Sequence, residues 1–109
     1  MAHKPDLEIS TFQNRPAYRY IRASDNVPKH AGYNPQALVK LFNPAGAGTW
    51  YIAEYDPTTR RAFGAAHIHE FEFGYFDMKE LVDFRGQFGL PIERDLHWSP
   101  RKLSECKGT

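Results

Sequence analysis

Cysteine is nearly absent from this 109-residue chain, with Cys106 standing alone near the carboxyl end. One thiol cannot build an internal disulfide framework, and it excludes an all-cysteine zinc site. A reducing, cytoplasmic setting is the expectation that follows. Long apolar runs are missing as well. No stretch has the length of apolar helix needed to cross a bilayer, and the opening Met1-Ala2-His3-Lys4-Pro5-Asp6 has no secretory hydrophobic core. No membrane partner is expected. An excess of one charge is equally lacking, at 14 basic against 13 acidic residues, which is unlike a strongly basic nucleic-acid domain. The glycines have neither dinucleotide-fingerprint nor P-loop spacing, and no Gly-Lys-Ser/Thr occurs.

The charge that is present is unevenly placed. Residues 1–40 carry six basic and three acidic side chains, 41–83 three and seven, and 84–109 five and three. The length suits a single domain. Pro5, Pro16, Pro28, Pro35 and Gly32 break up residues 1–36, which read as an irregular Pro/Tyr/Arg-rich arm. Within it, Ala17–Arg22 reads as an edge strand or extended segment packing Tyr18 and Tyr20 onto the domain. Residues 37–104 read as one α+β domain and 105–109 as a polar tail.

Strand signals dominate the centre. Ala37–Phe42 is β-branched and aromatic, bounded by Pro35 and Asn43-Pro44. Thr49–Tyr55 is the strongest, with Trp50, Ile52 and Glu54 expected on one face and Tyr51, Ala53 and Tyr55 on the other. Asp56-Pro57-Thr58-Thr59 is a turn with φ fixed by Pro57. Arg61–Ile68 forms a third strand whose small residues Ala62, Gly64 and Ala66 call for something bulky above them. Phe71–Phe76 forms a fourth, aligning Phe71, Phe73 and Tyr75. Connections this short make the neighbours antiparallel. Asp77 caps a short helix, with Glu80 three residues on and Met78, Leu81 and Val82 as its apolar stripe. Gly86 is expected to cap its end, and Ile92–Trp98 is expected to add one last short strand centred on Leu96–Trp98. The fold class is α+β: a small antiparallel meander of four to five strands with one short helix packed against it.

The blocks Val39–Pro44, Thr49–Asp56, Phe63-Gly64-Ala65, Glu72–Phe76 and Glu80-Leu81 resemble the DUF2958 family, a bacterial family of unknown function. Most specific is Arg85-Gly86-Gln87-Phe88-Gly89-Leu90-Pro91-Ile92-Glu93-Arg94-Asp95-Leu96. The resemblance spans roughly residues 37–104. Residues 1–36 depart from the family's usual Leu/Lys/Glu-rich helical opening. The resemblance implies a setting on bacterial plasmids and integrated mobile elements, and it brings no catalytic residues.

Several groups of residues are candidates for chemistry. His67 and His69 share a side if the third strand runs through both, and with Glu54, Glu72 or His97 they would make a metal site; the alternative is an exposed strand end. Glu54 with Glu72 would make an acid/base pair if buried side by side. Arg85, Arg94 and Asp95 are candidates for anion or partner binding near Gly86 and Gly89; the alternative is that Arg94 or Arg85 pairs with Asp83, Glu93 or Asp95 and ties the Gly-Leu-Pro turn to the helix end. Arg15, Tyr18, Arg19, Tyr20 and Arg22 are the one segment that resembles a nucleic-acid contact, cations meeting phosphate and rings stacking on bases. At 15% aromatic content, most rings must be core, and any left outside would form a patch for a partner or a second copy. No cofactor is called for. The leading expectation is a non-enzymatic accessory protein, monomer or weak homodimer, that binds an unidentified protein partner. Nucleic-acid binding through the arm and a metal- or carboxylate-dependent enzyme at the sheet's polar face are the alternatives.

Overall fold

In the computed structural model, which describes residues 8–10 and 18–109, the strand signals assemble around the aromatic centre. A two-stranded antiparallel pair, β1 (Ile9–Ser10) with β2 (Tyr18–Arg19), opens the chain. β3 (Gln36–Ala37) and β4 (Val39–Phe42) follow. Then come β5 (Thr49–Asp56), β6 (Arg61–His67) and β7 (Phe71–Asp77). Helix α1 (Met78–Asp83), β8 (Glu93–Arg94) and β9 (Arg101–Lys102) complete the order. The main sheet runs β7-β6-β5-β4-β8, every pair antiparallel, and β3 pairs separately with β9. This is the expected α+β meander with its one short helix. No helix among the described residues is long and apolar enough to cross a membrane.

The sheet has two unlike faces. On the first, Val39, Leu41, Trp50, Ile52 and Ala62 pack with Tyr20 and Ile21 from the arm, Met78 and Leu81 from α1, and Ile92. Ala62 is fully buried there, so its small side chain does sit beneath bulkier neighbours. On the second face Tyr51, Ala53 and Ala65 pack with Ala37, Leu103 and Cys106, which the carboxyl-terminal segment lays over β5. Cys106 is fully buried and Thr109 donates its hydroxyl to the Tyr51 hydroxyl at 3.0 Å, so the 105–109 segment is docked at both points.

Three local expectations need correction. The β5–β6 register slips between Ile52 and Glu54, so Glu54 lies opposite Phe63 and Tyr55 opposite Ala62. This bulge at Ala53 exchanges the faces of the two residues after it, moving Tyr55 to the first face and Glu54 to the second. Gly86 does not cap the helix. Phe84 ends it in an extended conformation (φ −61°, ψ 135°), and the Arg85 guanidinium donates to the carbonyls of Val82 and Phe84 instead. Left-handed backbone appears later, at Phe88 (φ 62°) and Gly89 (φ 68°). The last strand of the main sheet is Glu93–Arg94, because those residues pair with Phe42 and Leu41. Leu96 is exposed, and Trp98 turns back so that its indole N–H donates to Ala37 O at 2.9 Å.

The cap at the helix start is as expected in kind: Asp77 accepts from the Lys79 amide at 2.8 Å. Gly64 is required by close approach. A Cβ there would lie 1.7 Å from Tyr51 O, so only glycine lets β6 pass β5 at the bulge.

Candidate functional site

The second face is covered over β5 but open over the β6–β7 hairpin. Cross-strand register builds three rows on it: Lys40–Tyr51–Ala65–Phe73, Glu54–Phe63–Tyr75, and Thr49–His67–Phe71. Ala65 places no bulk between the rings, and they close over it. Phe71 meets Phe73 edge-on at 5.5 Å and Tyr51 at 5.9 Å, while Phe63 meets Tyr75 at 5.0 Å. Tyr51 extends the cluster to Trp98 at 5.6 Å. Offset and tilted ring pairs of this kind add to what burial alone contributes.

The outer members of this cluster stand in water. Phe73 is 57% and Tyr75 65% exposed, and both lie on β7, an edge strand of the sheet. Cations surround the rings. Arg61 lies 5.3 Å from the Tyr75 ring, Arg101 4.5 Å from Trp98, and Lys40 5.4 Å from Trp98. Beside Tyr75 a cleft of about 460 Å³ is lined by Glu54, Tyr55, Asp56, Arg61, Phe63 and Asp77 among others. Its polar groups are engaged in holding the chain. Glu54 accepts from the Ala31 amide at 2.8 Å, and Asp56 meets Lys29 at 3.6 Å. The Thr58 amide, with Lys29, holds the Asp56 carboxyl below its ordinary range. Behind the cleft, the fully buried Glu8 takes the Arg60 guanidinium at 2.6 Å and the Tyr55 hydroxyl. Burial, then that carboxylate, pushes the Tyr55 phenol well above its ordinary value.

The other candidates disperse. Arg94 makes a two-pronged pair with Asp25, at 2.6 and 2.7 Å, and also donates to Tyr20 O. Arg85 turns to the helix end, and Asp95 sits 3.8 Å from Lys40. The three therefore serve three separate contacts, and Asp83 meets Lys79 at 2.8 Å. Asp25 is the partner that sequence reasoning missed. Burial alone would raise its carboxyl, but hydrogen bonds from Arg94 and the Arg22 amide, with the Arg94 charge, outweigh it and lower the pKa.

β6 ends at His67 and the chain bends through residues 68–70, so the strand does not run on to align His67 with His69. Glu54 and Glu72 fall on opposite faces, since Glu72 lies opposite Ala66 and thus in register with Trp50. Among the described residues, no three His, Cys, Asp or Glu side chains group as metal ligands. In the arm, Arg15 lies outside the described residues, as does the side chain of Tyr18, while Arg19 and Arg22 are exposed. Tyr20 is fully buried and donates to Ile92 O at 2.6 Å, which removes its ring from any stacking surface.

No curated protein and no solved structure shows a significant match to the chain. A family model described as a protein of unknown function, DUF2958, matches residues 13–106. That match begins well before residue 37, so it takes in the Tyr20–Ile21 segment that closes the first face of the core. On a match over most of its length, the chain belongs to the DUF2958 family.

Proposed function

We propose that this chain is a small non-enzymatic accessory protein of a bacterial mobile element, acting by binding a protein chain through the aromatic edge of its sheet. One observation carries the reading: the exposed rings of Phe73 and Tyr75 stand on an edge strand whose outer hydrogen-bonding groups meet no strand among the described residues. Such an edge offers main-chain hydrogen bonds for affinity and alternate side chains for selectivity, which is how sheets take up a further strand. Glu54 is committed to the Ala31 amide, Asp56 to the Thr58 amide and Lys29, and Glu8 to Arg60, which supports recognition over catalysis. The arm supports a nucleic-acid reading less well, because Tyr20 belongs to the core.

The test is site-specific photo-crosslinking in cells that carry the gene. A photoreactive phenylalanine at position 73 is expected to give a protein adduct, while one at exposed Tyr33, remote from the edge in sequence, gives none. Absence of any protein adduct at position 73, or a nucleic-acid adduct in its place, refutes the reading.

A further inference from the structure

The two edges of the main sheet are built on different principles. β8 is two residues long and both are charged, which is the usual protection against unwanted strand pairing. β7 has seven residues, pairs with β6 through seven consecutive positions without a bulge, and contains neither lysine nor proline. It also carries a glycine that its own protomer does not require. Gly74 has no positive φ, and a Cβ there would meet no atom within 4 Å, in contrast to Gly64 directly opposite. Interior strand glycine weakens a strand and often marks the approach of another backbone.

We propose that β7 pairs antiparallel with β7 of a second copy of this chain, about a two-fold axis at Gly74, joining two five-stranded sheets into one. This rests on the reading of β7 as a binding edge and names its occupant. The sequence Phe71-Glu72-Phe73-Gly74-Tyr75-Phe76-Asp77 is self-complementary in that register. Phe73 lies opposite Tyr75 of the second copy, and Tyr75 opposite its Phe73, on the same face. Glu72 lies opposite Phe76 and Phe71 opposite Asp77, so no carboxylate faces a carboxylate. Centring the axis on Phe73 or Tyr75 instead leaves two residues of each strand unpaired. The Gly74 register uses the whole strand and covers the exposed rings of both copies.

The area sets the strength. With the exposures above, the two rings hold roughly 250 Å² of open surface per copy, and the paired backbone adds to it. That falls below the ~800 Å² per partner of a standard interface, so a weak, concentration-dependent dimer is expected.

Sedimentation equilibrium from about 1 to 500 µM reads the proposal directly. The wild type is expected to pass from monomer to dimer across that range. The doubly substituted Phe73→Lys, Tyr75→Lys protein places lysine opposite lysine, and its dimerisation weakens at least tenfold; the Phe73→Glu, Tyr75→Glu protein behaves alike. Mixed in equal amounts, the two are expected to recover a one-to-one complex, since each lysine then faces a glutamate, and recovery also shows that both are folded. Gly74→Cys is expected to form a covalent dimer on oxidation, because directly opposed residues lie within disulfide reach, whereas Glu72→Cys does not, being offset by four residues from its copy. A wild type that stays monomeric throughout overturns the proposal, as does a dimer indifferent to the charge substitutions or a mixture that fails to associate. A monomer that still gives a hetero-adduct at position 73 overturns only the second copy as occupant. A monomer with no adduct overturns the binding edge as well.

Discussion

Replacing Gly64 with alanine tests how β5 and β6 meet. The added methyl would stand 1.7 Å from Tyr51 O and 2.8 Å from its carbonyl carbon, and both are backbone atoms that no rotamer change can move aside. Relief requires β5 and β6 to separate at the bulge, where Ile52 faces Gly64 and both faces of the sheet are packed. Overpacking of a tight interior costs about 1–3 kcal/mol, and each ladder hydrogen bond stretched in the process removes about 1 kcal/mol more. The expected destabilisation is thus about 3 kcal/mol. For a chain of this size it lowers the melting temperature by roughly 12 °C or more. Gly74→Ala is the matched control, the partner of Gly64 across the same pair, with open space around its Cβ and an unexceptional φ. It is expected to be neutral or to stabilise by about 0.5 kcal/mol through the unfolded chain. Both are measured by urea and thermal unfolding, followed by circular dichroism at low micromolar concentration. A Gly64→Ala protein that melts within about 2 °C of wild type, or a Gly74→Ala protein destabilised as strongly, refutes the close-approach argument.

Further consequences concern the buried polar groups. Arg94→Ala leaves the largely buried Asp25 carboxylate without its partner and is expected to cost about 2–4 kcal/mol in urea unfolding. The lowered Asp25 pKa makes this pair's stabilisation fully present above pH ~4 and lost as pH falls further; Asp25→Asn should flatten that acid limb. Tyr55 runs the other way. Its raised pKa means the folded state resists ionisation, so the contribution is complete below the ordinary value near 10 and declines as pH rises beyond it. Tyr55→Phe should therefore lose less stability than wild type between pH 10 and 11.5, as measured by urea midpoints. Cys106 is fully buried, and burial pushes its thiol up; a disulfide reagent should modify it only at the rate of unfolding, and rapid labelling in native buffer would refute its docking.

Much of the fold was legible because the strands carry their own local evidence. β5 and β7 alternate aromatic and smaller residues between turn signals, and Asp77 marks the helix start by the same chemistry that caps it. What was not legible depends on residues distant in sequence. Nothing in Ile52-Ala53-Glu54 announces the bulge, which arises from fitting β5 to the β6 ladder, and it alone reverses the expected faces of Glu54 and Tyr55. The Arg94 partner could not be read locally either: Asp25 lies 69 positions away and reaches Arg94 only because Tyr20 and Ile21 have entered the core. The last strand was placed late because Leu96 and Trp98 are the apolar pair. Pairing is set instead by the β4 edge, whose outer groups meet Glu93 and Arg94.

The candidate site shows the same division. The alignment of Phe71, Phe73 and Tyr75 follows from a period of two, but whether those rings are core or surface depends on how far the covering segment reaches. Residues 98–106 extend over β5 and stop short of β7, so Phe71 is half covered while Phe73 and Tyr75 are not. On the opposite face the arm and α1 cover the sheet, so hydrophobic burial there closes within one chain. The energetic asymmetry is therefore between faces of one strand. Phe76 turns toward the closed side and Tyr75 toward the open one, though they are neighbours in sequence and nearly alike in apolar content. Stability of the single chain is already met by the first face and by the cap of residues 98–106. Phe73, more than half exposed, adds less to it than a buried ring would, and a polar residue there would guard the edge better. The exposure of the β7 rings is therefore the feature on which the proposed binding edge stands, and the one that substitution at Phe73 and Tyr75 tests.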